Sequence, residues 1–520
     1  MGTNLPDSPP EIFGFWPKVG KGPGQDIHVI PDTRLHRKND RPVRSDGEFV
    51  VYWMNAARRP VWNYGLEYAA AKAVELAKPL VVIEALSCSY RWASDRHHAF
   101  VIDGMVANAG HFEGTDVAYY PYVEPERGAG RGLHRALGEK ACLYVTDEWP
   151  CFELPAWVDK VACNLGVSMV AVDSCGLWPI GATDRVFTTA YSFRAFLQKN
   201  LIEHLQQPPR PNPLKGVKLP LAKVPAEILS KWPPFDTDAG HAVLASLPID
   251  HEVGVVEEQP GGFQTGARVV RRFLDERLPD YGERSRPDRT AASGLSAHLH
   301  YGHTSAHEIL AGIADLEGWS PNDLDERGNG GKRQGWWNLS EAAEGFLDEL
   351  VTWRELGLNF GHLRPGDYDR FESLPDWALK SIAEHAGDER PVVYSAKQFE
   401  DAQTHDELWN AAQVQLRREG IIQNYLRMLW GKKIYHWSKT AEDALETMIE
   451  LNNRWALDGR DPNSYSGIFW VLGRYDRAWG PEREIFGKLR YMTSDSTARK
   501  YRTKEYVERY SPAKQPELFE

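Results

Sequence analysis

No cysteine follows Cys175 in this chain of 520 residues. The long C-terminal part therefore cannot hold a cysteine-ligated iron–sulfur cluster. The five cysteines, Cys88, Cys142, Cys151, Cys163 and Cys175, form no CxxC pair, and an odd, sparse set fits a reducing compartment. No apolar run approaches the roughly 18 residues that span a bilayer, so no membrane partner is expected. The opening MGTNLPDSPP lacks the charged and apolar regions of a signal peptide. Pro6 also stands where a myristoylation signal needs Ser or Thr. These absences point to an intracellular, cytoplasmic protein. Positive charge is in deficit, with a net charge of −12, which argues mildly against non-specific nucleic-acid binding but leaves room for a local basic face. Finally, no GxGxxG follows the first strand-like run, so the standard dinucleotide fingerprint is missing.

What is present divides the chain. Its length exceeds one core, and 42% apolar with 26% charged residues is ordinary for a globular protein. After an N-terminal extension (1–45), residues 46–190 alternate. Runs rich in β-branched and aromatic residues, FVVYWM (49–54), LVVIEAL (80–86), DVAYYPYV (116–123), CLYVTD (142–147) and SMVAVDS (168–174), are separated by helix-like stretches at 63–77 and 98–112. This alternation indicates an α/β domain with a Rossmann-like parallel five-stranded sheet. Prolines at 208, 209, 211, 213, 220, 225, 233 and 234 mark a surface linker over 191–240. Helical periodicity then dominates 241–510, with a frayed tail at 511–520.

Ten of the 19 tryptophans fall between 336 and 479. Trp430 and Trp437 are seven residues apart, two helical turns with about 10 Å of rise on one face. Trp409 precedes Gly420, which is expected to end its helix, and so belongs to a neighbouring helix. Spacing alone favours an aromatic core. In YGERSRPDRTAASGLSAHLHYGHTS (281–305), Ser293, Gly294 and Ser296 open a helix-like run after Arg284, Arg286 and Arg289. Amides and hydroxyls at such a start bind phosphate, although Ser293 could equally be an N-cap. His298, His300 and His303 are spaced for a metal, but no acidic or cysteine partner accompanies them, and no metal is expected.

The runs SGLSAHLHYGHTS, FLDELVTWREL, THDELWNAAQ, RMLWGKKIYHW, LDGRDPNSYSGIFW and DRAWG…FGKLRYM resemble, in order and spacing, the photolyase/cryptochrome family. They are most similar to the class II cyclobutane pyrimidine dimer photolyases. VVYWMNAARRPVWNYGLEYA also resembles the start of the class II antenna domain. The resemblance implies a helical FAD-binding catalytic domain and light-driven electron donation from fully reduced FAD to a dimer flipped out of UV-damaged DNA. It implies that Glu349 hydrogen-bonds the dimer's carbonyl oxygens as a protonated carboxyl. Asn452 is implied to meet the flavin, and Arg427 and Asp458 to pair beside it. Tyr281, Ser293, Gly294, Leu295 and Ser296 are implied to bind its phosphates, with Asp461 in a flavin-contacting loop. Trp409, Trp430 and Trp437 match a tryptophan relay. Trp470 and Trp479 match walls of the lesion pocket, and Arg477, Lys488 and Arg490 are candidate DNA phosphate contacts.

Four departures stand near these residues. IQNY replaces a common MHGY, placing Gln423 where His is usual. WREL places Trp353 where an arginine is usual. Gly431 replaces Ala, and the loop between Trp470 and Trp479 is one residue short. A monomer is expected; an antenna chromophore is possible but has no motif. The rival readings are a flavin photoreceptor, a photolyase for another lesion, and a non-photochemical helical interaction module.

Overall fold

The computed structural model describes residues 30–511, so the opening MGTNLPDSPP and all but the first residue of the 511–520 tail lie outside the described residues. The strands are β1 (Leu35–Arg37), β2 (Phe49–Trp53), β3 (Leu80–Leu86), β4 (Ala118–Val123), β5 (Ala141–Asp147) and β6 (Met169–Val172). They form one sheet in the order β1-β6-β5-β2-β3-β4. The five expected strands pair in parallel. β1 adds an antiparallel edge against β6. It falls within the segment read from sequence as an extension, because a three-residue strand, LHR, carries no usable period.

Residues of β2 alternate between two cores. Phe49, Val51 and Trp53 pack with α3 (Leu133–Lys140) and α4 (Leu154–Asn164). Val50 and Tyr52 pack against α1 (Tyr64–Glu75). Burial on both faces is what its continuous apolar run encodes. Asn63 starts α1 by accepting from the Leu66 amide at 3.0 Å, and Ser94 caps α2 (Asp95–Phe112). At the switch point between β2 and β5, Asp147 accepts from the amides of Asn55, Ala56 and Ala57, each at 2.9 Å. A side chain of the protein thus occupies the strand-end amides that pyrophosphate would use in a dinucleotide-binding sheet, in keeping with the missing fingerprint.

The segment 191–240 is more ordered than a surface linker. α5 (Ala190–Asn200) buries Phe193 and Leu197 in the core of the helical part, and Ile228 and Trp232 fill the core beneath the sheet. Apolar residues at helical spacing precede the prolines and form this helix.

The helical part includes Glu341–Leu347, Arg354–Leu363, Glu407–Glu419, Asn424–Trp437, Ala441–Trp455 and Pro462–Val471. A π-helical segment, Asp348–Trp353, joins the first two of these. Gly420, at φ +65°, ends Glu407–Glu419 as expected. Buried Arg96 of α2 donates to the carbonyls of Arg417 and Trp455, both at 2.6 Å, at the C-terminal ends of two of these helices. A cation there meets carbonyls that have no partner in their own helix. Arg59 donates to the Gly302 carbonyl at 2.8 Å. Glu355 accepts from the amides of Leu177 and Trp178, and burial pushes its carboxyl up to about 7.

Gly302 marks how closely the two parts meet. At φ +71° it lies so near the α/β part that a Cβ there would stand 1.8 Å from the Ala56 carbonyl oxygen. Gly302→Ala should cost more than about 1 kcal/mol, from backbone strain and this collision. A thermal melt checks it, and unchanged melting would contradict so close a joint.

Candidate functional site

Trp409, Trp430 and Trp437 come together in the core of the helical part, at 0%, 3% and 1% exposure. The indole N–H of Trp409 donates to the main-chain carbonyl of Trp430 at 3.0 Å. Its ring stands 6.2 Å from that of Trp437, nearly perpendicular. The Trp430 indole donates to Gln413 Oε1 at 2.9 Å, from the helix that carries Trp409. Trp409 is therefore the middle member, in contact with both others. Edge-to-face packing at this spacing is ordinary for a core. It also suits stepwise movement of single electrons through dry protein.

A second group surrounds the neighbouring helix ends. Arg427 donates to Asp458 at 3.0 Å, both largely buried. Asn452 is buried and donates to Ser464 Oγ at 2.6 Å and to Asn453 Oδ1 at 3.2 Å. Among the described residues nothing donates to its own carboxamide oxygen. Asp461 caps Pro462–Val471 through the Asn463 amide and meets His300 Nδ1 at 3.2 Å. Burial pushes the Asp461 carboxyl up, but the His300 and Asn463 donors hold it below its ordinary range. Tyr281 lies edge-on to Phe273 and Phe346, and burial raises its hydroxyl. Leu295 is buried and anchors its stretch, while Gly294 and Ser296 are exposed and Ser293 is half-buried. The helix they open, Ser296–His300, has only five residues.

Glu349 lies in the π-helical segment and is met by Arg284 at 2.8 Å. The Arg284 guanidinium lies 4.7 Å from the centre of the Tyr281 ring. The Nε of Arg284 is buried without an acceptor. Gln423 serves two purposes at this point. Its oxygen caps Asn424–Trp437 through the Leu426 amide at 3.0 Å, and its Nε2 donates to the Arg284 carbonyl at 2.8 Å. A primary amide can do both at once.

Trp470 and Trp479 form a third group. The Arg490 guanidinium lies 5.4 Å from one ring and 5.0 Å from the other, and Arg477 covers Trp479 at 4.7 Å. Lys488 is exposed and pairs with Glu482 at 3.0 Å. Beneath Trp470 sits Lys432, which sequence reading missed. It is 1% exposed, donates to the Val471 carbonyl at 2.6 Å and lies 5.5 Å from the Trp470 ring. Nothing in KKIYHWSK distinguishes it from exposed Lys439 or half-buried Lys433. Among the described residues no hydrogen bond or ion pair links this group to the Glu349–Arg284 pair. The rings of His298 and His303 stand 6.1 Å apart, but the three histidines have separate partners: His303 accepts from the Gly262 amide, His300 meets Asp461, and the Nδ1 of His298 is buried without a partner.

No protein-family model matches the chain. A Methanothermobacter thermautotrophicus protein named deoxyribodipyrimidine photo-lyase is 33% identical over 483 residues, 92% of this chain and 98% of that protein. Proteins of the same name from Potorous tridactylus and Arabidopsis thaliana are 31% and 30% identical, over 91% and 88% of this chain and 83% and 88% of their own. Among solved structures, a class III photolyase from Agrobacterium tumefaciens superposes with a TM-score of 0.66 at 16% identity, covering 90% of this chain and 87% of that one. An archaeal photolyase from Sulfolobus tokodaii, described with two FAD molecules, gives 0.59 at 13% identity, covering 89% and 90%.

Burial pushes the Lys432 ammonium down to about 7. Between pH 7 and the ordinary lysine range the unfolded chain holds a proton that the folded one has lost. Folding stability therefore rises with pH across that window, by at most about 1.4 kcal/mol per unit. Chemical denaturation at pH 7 and pH 9 should show the wild type gaining on Lys432→Met. Parallel behaviour of the two would contradict the buried ammonium.

Proposed function

The chain belongs to the deoxyribodipyrimidine photo-lyase family, and on that premise we propose that it repairs cyclobutane pyrimidine dimers in DNA under light. The observation that carries this reading is the match to curated relatives of that name over nearly the whole chain. The cofactor is FAD, working in its fully reduced form. The residues present suit it. An arginine–aspartate pair, a buried amide with a free acceptor and an exposed Ser293–Ser296 stretch together favour a flat, oxygen-rich, anionic group.

When bound, FAD supplies a light-excited centre for single-electron chemistry. Arg427 would offset its negative charge, with Asp458 keeping the guanidinium oriented. Asn452 would present its carboxamide to the ring system, and Asp461 would steady the loop beside it. Tyr281, Ser293, Gly294, Leu295 and Ser296 would hold the phosphates. Trp409, Trp430 and Trp437 would relay electrons that reduce the flavin. Glu349 and Arg284 act as a unit on the lesion. The guanidinium offers donors where negative charge develops on the dimer carbonyls, and the carboxylate fixes their direction. Trp470 and Trp479 would wall the flipped dimer with large apolar faces that compensate for lost base stacking. Arg477, Arg490 and Lys488 would meet backbone phosphates, Lys488 after leaving Glu482.

The test is illumination of the reduced, flavin-loaded protein with a dimer-containing oligonucleotide. Intact thymines should return only in the light. Failure, with flavin bound and photoreducible, would contradict the proposal. Glu349→Gln should lower the repair yield several-fold while flavin stays bound, because an amide cannot hold the Arg284 charge. Equal yields would remove the pair from the mechanism.

A further inference from the structure

Trp437 is the last of the three relay indoles in order of contact, yet only 1% of it is exposed, so a donor in solvent cannot touch it. It also carries a cation. The Lys433 ammonium lies 4.9 Å from its ring, partly offset by Asp406 at 3.5 Å from that ammonium. Among the described residues no cation stands over Trp409 or Trp430. A positive charge beside an indole disfavours a second positive charge on it, so the hole is poorly held where the tryptophans end.

A neighbour can take it without keeping the charge. The ring of Tyr394 meets Trp437 edge-on, with centroids 5.8 Å apart at 81°. Its main-chain N–H donates to the Trp437 carbonyl at 3.0 Å, which fixes the contact. The Tyr394 hydroxyl lies 2.7 Å from His405 Nδ1 and accepts from the His405 amide at 3.0 Å. The amide already donates to the oxygen, and in the Nε2–H tautomer of His405 the hydroxyl donates its proton to Nδ1. The His405 side chain is exposed and its ring stands 4.9 Å from Trp437, while Tyr394 is half-buried.

We propose that Tyr394, with His405 as its proton acceptor, is the redox-active end of the relay. This rests on the relay reading given above. The oxidant is photo-excited oxidised flavin, whose missing electron is drawn through Trp430 and Trp409 from Trp437. The Trp437 radical cation then takes one electron from Tyr394. The phenolic O–H bond breaks, and its proton goes to the lone pair of His405 Nδ1. Neutral Trp437, a neutral tyrosyl radical and an imidazolium remain, so charge and electrons balance. A thiol reductant in solution returns the electron, and the proton comes back from His405. The positive charge ends at the surface, where water solvates it, which slows its return to the flavin.

Flash photolysis and electron paramagnetic resonance of the protein loaded with oxidised FAD test this. The wild type should show a tyrosyl radical whose formation slows in deuterated water. Tyr394→Phe should lose that signal, accumulate a tryptophan radical instead and photoreduce flavin with lower yield. His405→Phe, which removes the proton acceptor, should delay tyrosine oxidation and prolong the tryptophan radical. A tryptophan radical with the same lifetime in wild type and Tyr394→Phe, and no tyrosyl signal in either, would overturn the tyrosine step while leaving the relay standing. No tryptophan radical in either protein would overturn the relay and this inference with it.

Discussion

One hydrogen bond fixes the geometry on which the site depends: the indole N–H of Trp409 donating to the main-chain carbonyl of Trp430. Both partners are buried, so breaking it would strand a polar group in the core, at about 1–3 kcal/mol. Because it runs from a side chain on Glu407–Glu419 to the backbone of Asn424–Trp437, it sets the spacing of those helices and not merely of two rings. Gln413 repeats the tie by accepting from Trp430. The other side of Asn424–Trp437 is set by an absence. A Cβ on Gly431 would stand 2.6 Å from a Val471 methyl, so glycine lets the helix bearing Trp470 lie close. One helix thereby serves an indole chain on one side and the proposed lesion wall on the other.

The arginines and carboxylates that hold this arrangement sit mostly at helix ends. Arg96 reaches from the α/β part to the C-terminal carbonyls of two helices, those that carry Trp409 and Asn452. Burial pushes its guanidinium down to about 10, still well above neutrality. Glu355 does the converse, gathering the amides of the segment after β6. The α/β part is thus tied by main-chain polar groups to the helices that form the site, and a change at the joint would be felt at the indoles.

Much of the fold was legible because its periods were long and regular. All five parallel strands lay where dense apolar runs placed them, and Gly420 ended its helix. What escaped was short or masked: β1 has three residues, and the prolines of 208–234 concealed the helical spacing of Ala190–Asn200 and Ile202–Leu205. The site divided differently. Arg427 pairs with Asp458 and the three buried indoles lie together, an arrangement that spacing alone would assign to plain packing. The Arg284–Glu349 pair, Lys432 beneath Trp470 and Tyr394 against Trp437 were not legible. Each depends on segments distant in sequence, and each uses a residue type that is usually exposed or structurally silent. Gln423, an apparent departure, proved to be a helix cap that also holds the Arg284 carbonyl.

The central claim is that the buried indoles serve light-driven electron transfer and not packing alone. Trp409, the middle member, decides between these. Its replacement by Phe keeps an aromatic ring in the core but removes both the indole and its hydrogen bond to Trp430. The account predicts that the flavin-loaded Trp409→Phe protein stays folded and coloured yet photoreduces its flavin far more slowly than the wild type under the same light and thiol. Photoreduction at the wild-type rate would contradict it.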